Sequence, residues 1–133
     1  MNITLSQAES VIAAAKKQAR EINTKMNISI VDTGSNLVAF VRNDGAWLGS
    51  VDISIRKAKT AMFFQMDTAD LSPLVQPGQP LFNIEHSNGG LITFPGGVVI
   101  KGKNGEIVGA IGVSGSTVDN DAKVARAGAD AFA

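Results

Sequence analysis

The chain has 133 residues, which suits a single domain over residues 1–133 and is too short for two ordinary domains. Twelve basic residues balance twelve acidic ones, so the net charge is zero and we expect no nucleic-acid partner. The absence of cysteine excludes disulfides, thiolate nucleophiles and cysteine-ligated metal sites. No apolar run reaches the length of a membrane span and no signal peptide is evident, so we expect a cytoplasmic protein without membrane contact.

The first predicted element is a helix over Leu5–Thr24. Thr4 is suited to be its N-cap, and Gln7 is placed to complete a capping box. The apolar residues recur at three- and four-residue spacings and form one stripe: Leu5, Ala8, Val11, Ile12, Ala15, Ala19 and Ile22. This pattern is typical of an amphipathic helix.

Two runs rich in Ile and Val follow, at Asn27–Asp32 and Leu37–Arg42. The short turn between them predicts an antiparallel hairpin. A second helix is predicted to begin near Ser50, with an apolar stripe at Val51, Ile55, Ala58 and Met62. Its lysines at positions 57 and 59 are more typical of a solvated face than of an anion site.

The second half of the chain predicts a short helix and further strands. The helix covers Thr68–Val75, and a proline-rich loop follows it. Three strands are predicted at Leu91–Phe94, Val98–Gly102 and Glu106–Ser114, the last two joined by an Asn-Gly turn. The final helix is predicted to begin near Ser116. Hairpins between neighbouring strands indicate an α+β fold with an antiparallel sheet.

The last predicted strand carries small residues on one face. Ile107, Gly109, Ile111 and Val113 alternate with the opposite set, namely Val108, Ala110, Gly112 and Ser114. Because the second set is small, a helix, a ligand or another subunit could approach the backbone closely there.

Glycine is concentrated late in the chain, with ten of the 14 glycines between positions 78 and 115. Glycine leaves backbone N–H groups uncovered, and such groups bind carboxylates or phosphates. We therefore expect these segments to converge on a ligand-binding hollow. Neither the dinucleotide-binding fingerprint nor the phosphate-binding P-loop is present.

The single histidine, His86, limits the catalytic chemistry. No Gly-x-Ser-x-Gly elbow accompanies it, so hydrolysis by a Ser-His-Asp triad is disfavoured. A lone loop histidine more often satisfies local hydrogen bonds than acts as a base or a haem ligand.

Several motifs, taken in their order along the chain, resemble the GlcG/HbpS-like family, which includes the C-terminal domain of PduO-type proteins. They are Arg42–Ala46, Leu48–Asp52, Lys57–Ala61, Phe94–Val98 and Gly109–Gly115. The resemblance covers essentially the whole chain. It implies a profilin-like fold with a five-stranded antiparallel sheet flanked by N-terminal, central and C-terminal helices. It also implies a homo-oligomer, often a ring or an octamer, binding of haem or another tetrapyrrole in some members, and association with glycolate, propanediol or glycerol metabolism.

The resemblance also indicates a set of ligand-binding positions: Arg42, Asp44, Lys59, Asn88, Gly96, Gly97, Ser114 and Gly115. Relatives that ligate haem iron use a histidine in the first helix, and this chain has none there. The remaining imidazole and thioether ligands are His86, Met26, Met62 and Met66, among which His86 is the candidate axial ligand.

Three functions stay open at this point. The favoured one is an oligomeric accessory protein that binds a small molecule or a tetrapyrrole, either haem or a corrinoid. The second is a lyase or isomerase, with Arg42 or Lys59 holding a carboxylate while Asp44, His86 or Asp121 moves a proton. The third is a structural partner of a pathway enzyme.

Overall fold

The computed structural model describes all 133 residues, and its elements confirm the α+β class. Four α-helices and four strands follow the chain in the order α1 (Leu5–Glu21), β1 (Asn27–Val31), β2 (Leu37–Arg42), α2 (Gly49–Phe64), α3 (Thr68–Leu71), β3 (Gly97–Lys101), β4 (Ile107–Ser114) and α4 (Val118–Asp130). Two 3₁₀ turns lie between α3 and β3, at Ser72–Val75 and Ile84–His86. None of the helices is long and apolar enough to cross a bilayer.

The capping box predicted for the first helix is present. The Gln7 backbone N–H donates to Thr4 Oγ1 at 3.1 Å, and the Thr4 N–H donates to Gln7 Oε1 at 2.9 Å. The last helix begins later than predicted. Its N-cap is Thr117 rather than Ser116, because the Thr117 hydroxyl accepts the Asn120 N–H, whereas the Ser116 N–H donates to Asp121.

The sheet has four antiparallel strands in the order β2-β1-β4-β3. The fifth strand, predicted at Leu91–Phe94, is not formed. The Leu91 N–H donates to the Glu85 carbonyl at 2.9 Å, and the Ile92 N–H donates to Thr60 Oγ1 at 3.2 Å. The backbone of this apolar segment is thus bonded to its own loop and to α2, which leaves it outside the sheet.

The two faces of the sheet are covered by different helices. α1 and α4 pack together on one face, and α2 packs on the other. A Cβ atom added at Gly112 would collide with the Ser54 carbonyl oxygen on α2. A helix therefore occupies the small-residue face of β4.

A β-bulge in β4 corrects the predicted faces of that strand. The register between β3 and β4 shifts between Ile100 and Lys101, opposite the start of β4. Val108 therefore joins Ile111 and Val113 in the core under α1 and α4, whereas Ile107 packs toward α2. Strict alternation assigned both residues to the opposite faces.

The two edge strands, β3 and β2, differ in the hydrogen bonds made along their outer edges. On β3, the Val99 N–H donates to Asp67 Oδ1 at 3.0 Å and the Gly97 N–H donates to Thr68 Oγ1 at 2.9 Å. No hydrogen bond reaches the outer edge of β2. One edge is thus capped by side chains near α3, and the other is open.

Candidate functional site

A buried ion pair stands at the glycine-rich end of β3 and β4. Lys57 extends from α2 and is fully buried, and its Nζ donates to Asp121 Oδ2 and to the Val113 carbonyl, both at 2.9 Å. Asp121 lies in the first turn of α4, where its Oδ1 accepts the Ser116 N–H at 2.9 Å. Because α2 and α4 lie on opposite faces of the sheet, this pair joins the two helical layers.

The ring of Phe94 completes the surroundings of the lysine. Nζ lies 4.8 Å from the ring centroid, a cation–π distance, and Phe94 is 39% exposed. Burial lowers the pKa of the Lys57 amine below its ordinary 10.5 and raises the pKa of the Asp121 carboxyl above its ordinary 3.8. Two ammonium protons are thus donated to oxygen atoms, and the ring lies within cation–π distance of the same nitrogen.

The late glycines make room for this lysine. Gly96 has φ +133°, and a Cβ there would lie 2.5 Å from both Lys57 Nζ and the Val113 carbonyl oxygen. A Cβ at Gly97 would collide with the Lys57 carbonyl oxygen. The expected ligand-binding hollow is therefore not formed at these glycines, because Lys57 lies against Gly96 and Gly97. Neither of them, nor the buried Ser114, lines any of the five cavities of the molecule.

Two other predicted residues share a cleft on the outer side of α2. Lys59 and Asn88 both line a space of about 260 Å³, which Phe63 and the turn at Gly89–Gly90 also line. Arg56 fixes that turn, since its Nη1 donates to the carbonyl oxygens of Gly89 and Gly90 at 2.6 and 2.8 Å. A cation and an amide thus stand at this cleft.

Gly115 lies in a separate cleft of about 640 Å³ between the start of α4 and the loop that precedes α2. Lys25 and Trp47 also line it, and 67% of Trp47 is exposed. This cleft combines a cation, an aromatic ring and the short segment that leads into α4.

The remaining predicted residues lie on the surface. Arg42 ends β2, Asp44 follows in the next loop, and His86 ends a 3₁₀ turn; all three are exposed and line no cavity. The carboxylate-holding and proton-moving groups considered for a lyase or isomerase therefore share no cavity within one chain. The ligand-binding roles of the eight predicted residues stay predictions.

The most apolar groove was not predicted. It lies between α1 and β2, has a volume of about 350 Å³, and is lined by Leu5, Glu9, Ile12, Ala13, Lys16, Val38, Ala39, Phe40 and Val41. Seven of these nine residues are hydrophobic, which distinguishes this groove from the polar clefts. The available signal was the continuous apolar run of β2, which puts apolar residues on both faces of the strand.

Lys57 was also missed. The predicted apolar stripe of α2 included Val51 and Ile55, but the helix turns its smallest residues, such as Ser54 and Ala58, toward the sheet and leaves Val51 and Ile55 half-buried. The usable signal was the small face of β4, because a sheet lined by Gly112 requires small residues on the helix that covers it.

Comparison with known proteins confirms the family resemblance. A family model described as "Haem degrading protein HbpS-like" matches residues 3–130. The chain is 38% identical to an uncharacterized 15.0 kDa protein of the dhaT-dhaS intergenic region of Citrobacter freundii, over 98% of this chain and 92% of that one. It is 35% identical to the protein GlcG of Escherichia coli, over 84% of this chain and 82% of GlcG. It is 32% identical to the corrinoid adenosyltransferase PduO of Citrobacter freundii, over 95% of this chain but only 38% of PduO.

Two solved structures extend the likeness to three dimensions. The protein ORFY of Klebsiella pneumoniae superposes with a TM-score of 0.94 at 39% identity, over 98% of this chain and 90% of ORFY. A complex of PduOC with haem superposes with a TM-score of 0.91 at 30% identity, over 98% of this chain and 95% of PduOC.

Proposed function

Because this chain belongs to the HbpS-like family, we propose that it binds haem or a related tetrapyrrole as a homo-oligomer. We further propose that it acts as an accessory protein in diol, glycerol or glycolate metabolism. The solved complex of PduOC with haem carries the first part of this proposal, since that relative matches almost the whole of this chain. The metabolic part rests on the family resemblance and on relatives such as PduO and GlcG.

The groove between α1 and β2 is the part of this chain that suits a tetrapyrrole best. The macrocycle is a flat, largely apolar ligand, and ligand sites are mostly apolar with a few placed polar groups. Leu5 and Phe40 supply apolar surface, and Lys16 supplies a cation for a propionate carboxylate. At about 350 Å³ the groove accepts part of the ligand, so a second copy of the chain would cover the rest.

The groove offers contacts for the macrocycle but no axial ligand for the iron. No histidine or methionine lines the groove, so its residues fit the ring and a carboxylate but offer no axial ligand of the usual kinds. His86 lies outside every cavity. Its proposed role as a ligand therefore requires haem bound elsewhere than in the groove of the same chain.

Titration of the purified protein with haemin, followed through the Soret band, tests the proposal. We expect a saturable spectral shift, with affinity reduced about tenfold or more in Ala13→Asp, because this exposed groove residue would place a carboxylate against the macrocycle. Ala69→Asp is the matched control, since Ala69 is exposed on α3 and lines no cavity. The absence of a saturable shift would remove haem as the ligand.

Two further variants separate the parts of the site. Lys16→Glu should weaken haemin binding and leave the position of the Soret band unchanged, because Lys16 is proposed to contact a propionate and not the iron. His86→Ala should move the band only if His86 ligates the iron, and an unchanged spectrum and affinity would exclude it as the axial ligand. Parallel titration with a corrinoid identifies which tetrapyrrole binds more tightly.

A time course at saturating haemin distinguishes binding from turnover. A carrier or accessory protein keeps its Soret absorbance when a mild reductant and oxygen are present, whereas a haem-degrading enzyme loses it. Persistent absorbance supports the accessory role that we propose. Loss of the band that depends on the protein would instead favour degradation, the activity in the description of the matching family.

A further inference from the structure

The outward face of α2 carries apolar side chains that nothing in the chain covers. Leu48, just before the helix, is 72% exposed, Phe63 at its other end is 43% exposed, and Ile55 between them is half-buried. The inward face of the same helix is already buried against the sheet. A helix that is apolar on opposite sides is typically covered on both.

Two opposite charges lie on the same outward stripe. Asp52 is one turn after Leu48, and Lys59 is one turn before Phe63. The Lys59 amine forms no ion pair within the chain, whereas one oxygen of Asp52 accepts the Arg56 Nε–H at 2.7 Å. The second Asp52 oxygen accepts no hydrogen bond, and the side chain remains 70% exposed.

The apolar pair and the charged pair are arranged symmetrically about one point of the helix. The midpoint between Leu48 and Phe63 coincides with the midpoint between Asp52 and Lys59, and both fall between residues 55 and 56. A two-fold axis through that point would set Leu48 against the partner's Phe63 and Asp52 against the partner's Lys59. Both kinds of contact would occur twice in one antiparallel helix pair.

We propose that the outward face of α2 is a self-association surface, on which a second copy of this chain docks through an antiparallel α2–α2 contact. This inference deepens the proposed oligomeric state, on which it rests, by naming the face that carries it. The stripe from Leu48 to Phe63 spans about 22 Å at 1.5 Å per residue, so it follows α2 over its whole length. Because the apolar pair and the charged pair share one midpoint, a second copy of this chain matches both at once, which favours it over an unrelated partner.

A charge-exchange experiment tests this register directly. Lys59→Glu and Asp52→Lys are made separately, and each homodimer then holds like charges opposite each other at two points. Mixing the two variants restores opposite charges at every point of the mixed dimer. The new carboxylate at position 59 of one chain would face the new amine at position 52 of the other, while the two unchanged side chains, Asp52 and Lys59, face each other. We expect each variant alone to show about half the wild-type mass or less by sedimentation, and the mixture to recover it.

Apolar variants test the same face independently. Leu48→Asp and Phe63→Asp should also lower the mass, whereas Leu37→Asp is the matched control, since Leu37 is 49% exposed on the open edge of β2. Circular dichroism melting of every variant verifies that the fold is intact. The charge pair and the apolar pair thus report on one surface through different forces.

The outcomes separate this inference from the proposed function. A monomeric wild type would overturn both the oligomer and this surface, irrespective of haemin binding. An oligomeric wild type whose mass is unaffected by the charge and apolar variants, or a mixture that stays dissociated, would overturn the α2 contact alone. Dissociation by Leu37→Asp with none by Phe63→Asp would transfer the interface to the edge of β2.

Discussion

The two faces of the sheet show two ways of holding a helix against strands. Under α1 and α4, 17 buried apolar residues form a continuous core. Under α2, only six buried apolar residues do so, and the contact is completed by glycines, serines and the buried charge of Lys57. The first face depends on the volume of its side chains, whereas the second depends on close backbone approach and on one paired charge.

Breaking the ion pair should produce the largest effect on stability. Asp121→Ala leaves the Lys57 ammonium buried without a counter-charge, so the free energy of unfolding should fall by about 3–5 kcal/mol in urea denaturation. The double variant Lys57→Met with Asp121→Leu removes both charges and should recover most of that loss. A loss below about 1 kcal/mol in the single variant would mean that water reaches the pair in solution.

Widening the gap between α2 and β4 should have an intermediate effect. Gly112→Ala places a methyl group against the backbone of α2 at Ser54 and Ala58, so we expect a loss of about 1–3 kcal/mol in the free energy of unfolding. Gly49→Ala is the matched control, since a Cβ there meets nothing within 4 Å. It should stabilise the protein by about 0.4–1 kcal/mol, because alanine reduces the entropy of the unfolded chain. Equal effects of the two substitutions would contradict close approach.

Removal of the Asp32 carboxylate should produce the smallest change in the free energy of unfolding, and this change should depend on pH. The Asn36 and Gly34 backbone N–H groups donate to Asp32 in the β1–β2 turn and hold the pKa of its carboxyl below the ordinary 3.8. Because the pKa is lower in the folded state, its contribution to stability is present above pH 3.8 and is lost as the pH falls through the folded value.

The comparison of wild type with Asp32→Asn measures this contribution. The difference in unfolding free energy between them should be constant near neutral pH and shrink in acid. A difference that grows in acid would contradict the sign, which is opposite to that for buried Asp121, whose pKa is raised by burial.

Local signals predicted much of the fold because they act over a few residues. The capping box at Thr4 and the hairpin turn at Asn104–Gly105 needed only neighbouring residues, and both elements formed as expected. The segment Leu91–Phe94 has the composition of a strand, but its backbone found partners in Thr60 and Glu85, which no periodicity reveals. The family resemblance was predictable because it rests on ordered motifs rather than on local geometry.

The candidate site was harder to predict than the fold. Lys57 and Asp121 are 64 residues apart, and a lysine is almost never buried without such a partner, so the sequence favoured a solvated position. The late glycines do not gather around one hollow: Gly89, Gly90 and Gly115 line two other clefts, whereas Gly96 and Gly97 lie against Lys57. Their open backbone accommodates a side chain of the same molecule, and the apolar groove arises instead where α1 lies beside β2.

The unequal edges of the sheet limit how copies of this protein can join through their strands. Thr68 and Asp67 accept the N–H groups of Gly97 and Val99, two donors that a strand added beside β3 would need. The outer edge of β2 has no such side-chain partners. In two copies joined edge to edge at β2, the outermost strands would both be β3, whose capped edge does not accept a further strand. The side-chain cap on β3 thus protects the protein against aggregation by repeated strand addition. The double variant Asp67→Ala with Thr68→Ala would uncover the β3 edge and allow strands to add on both sides of the sheet.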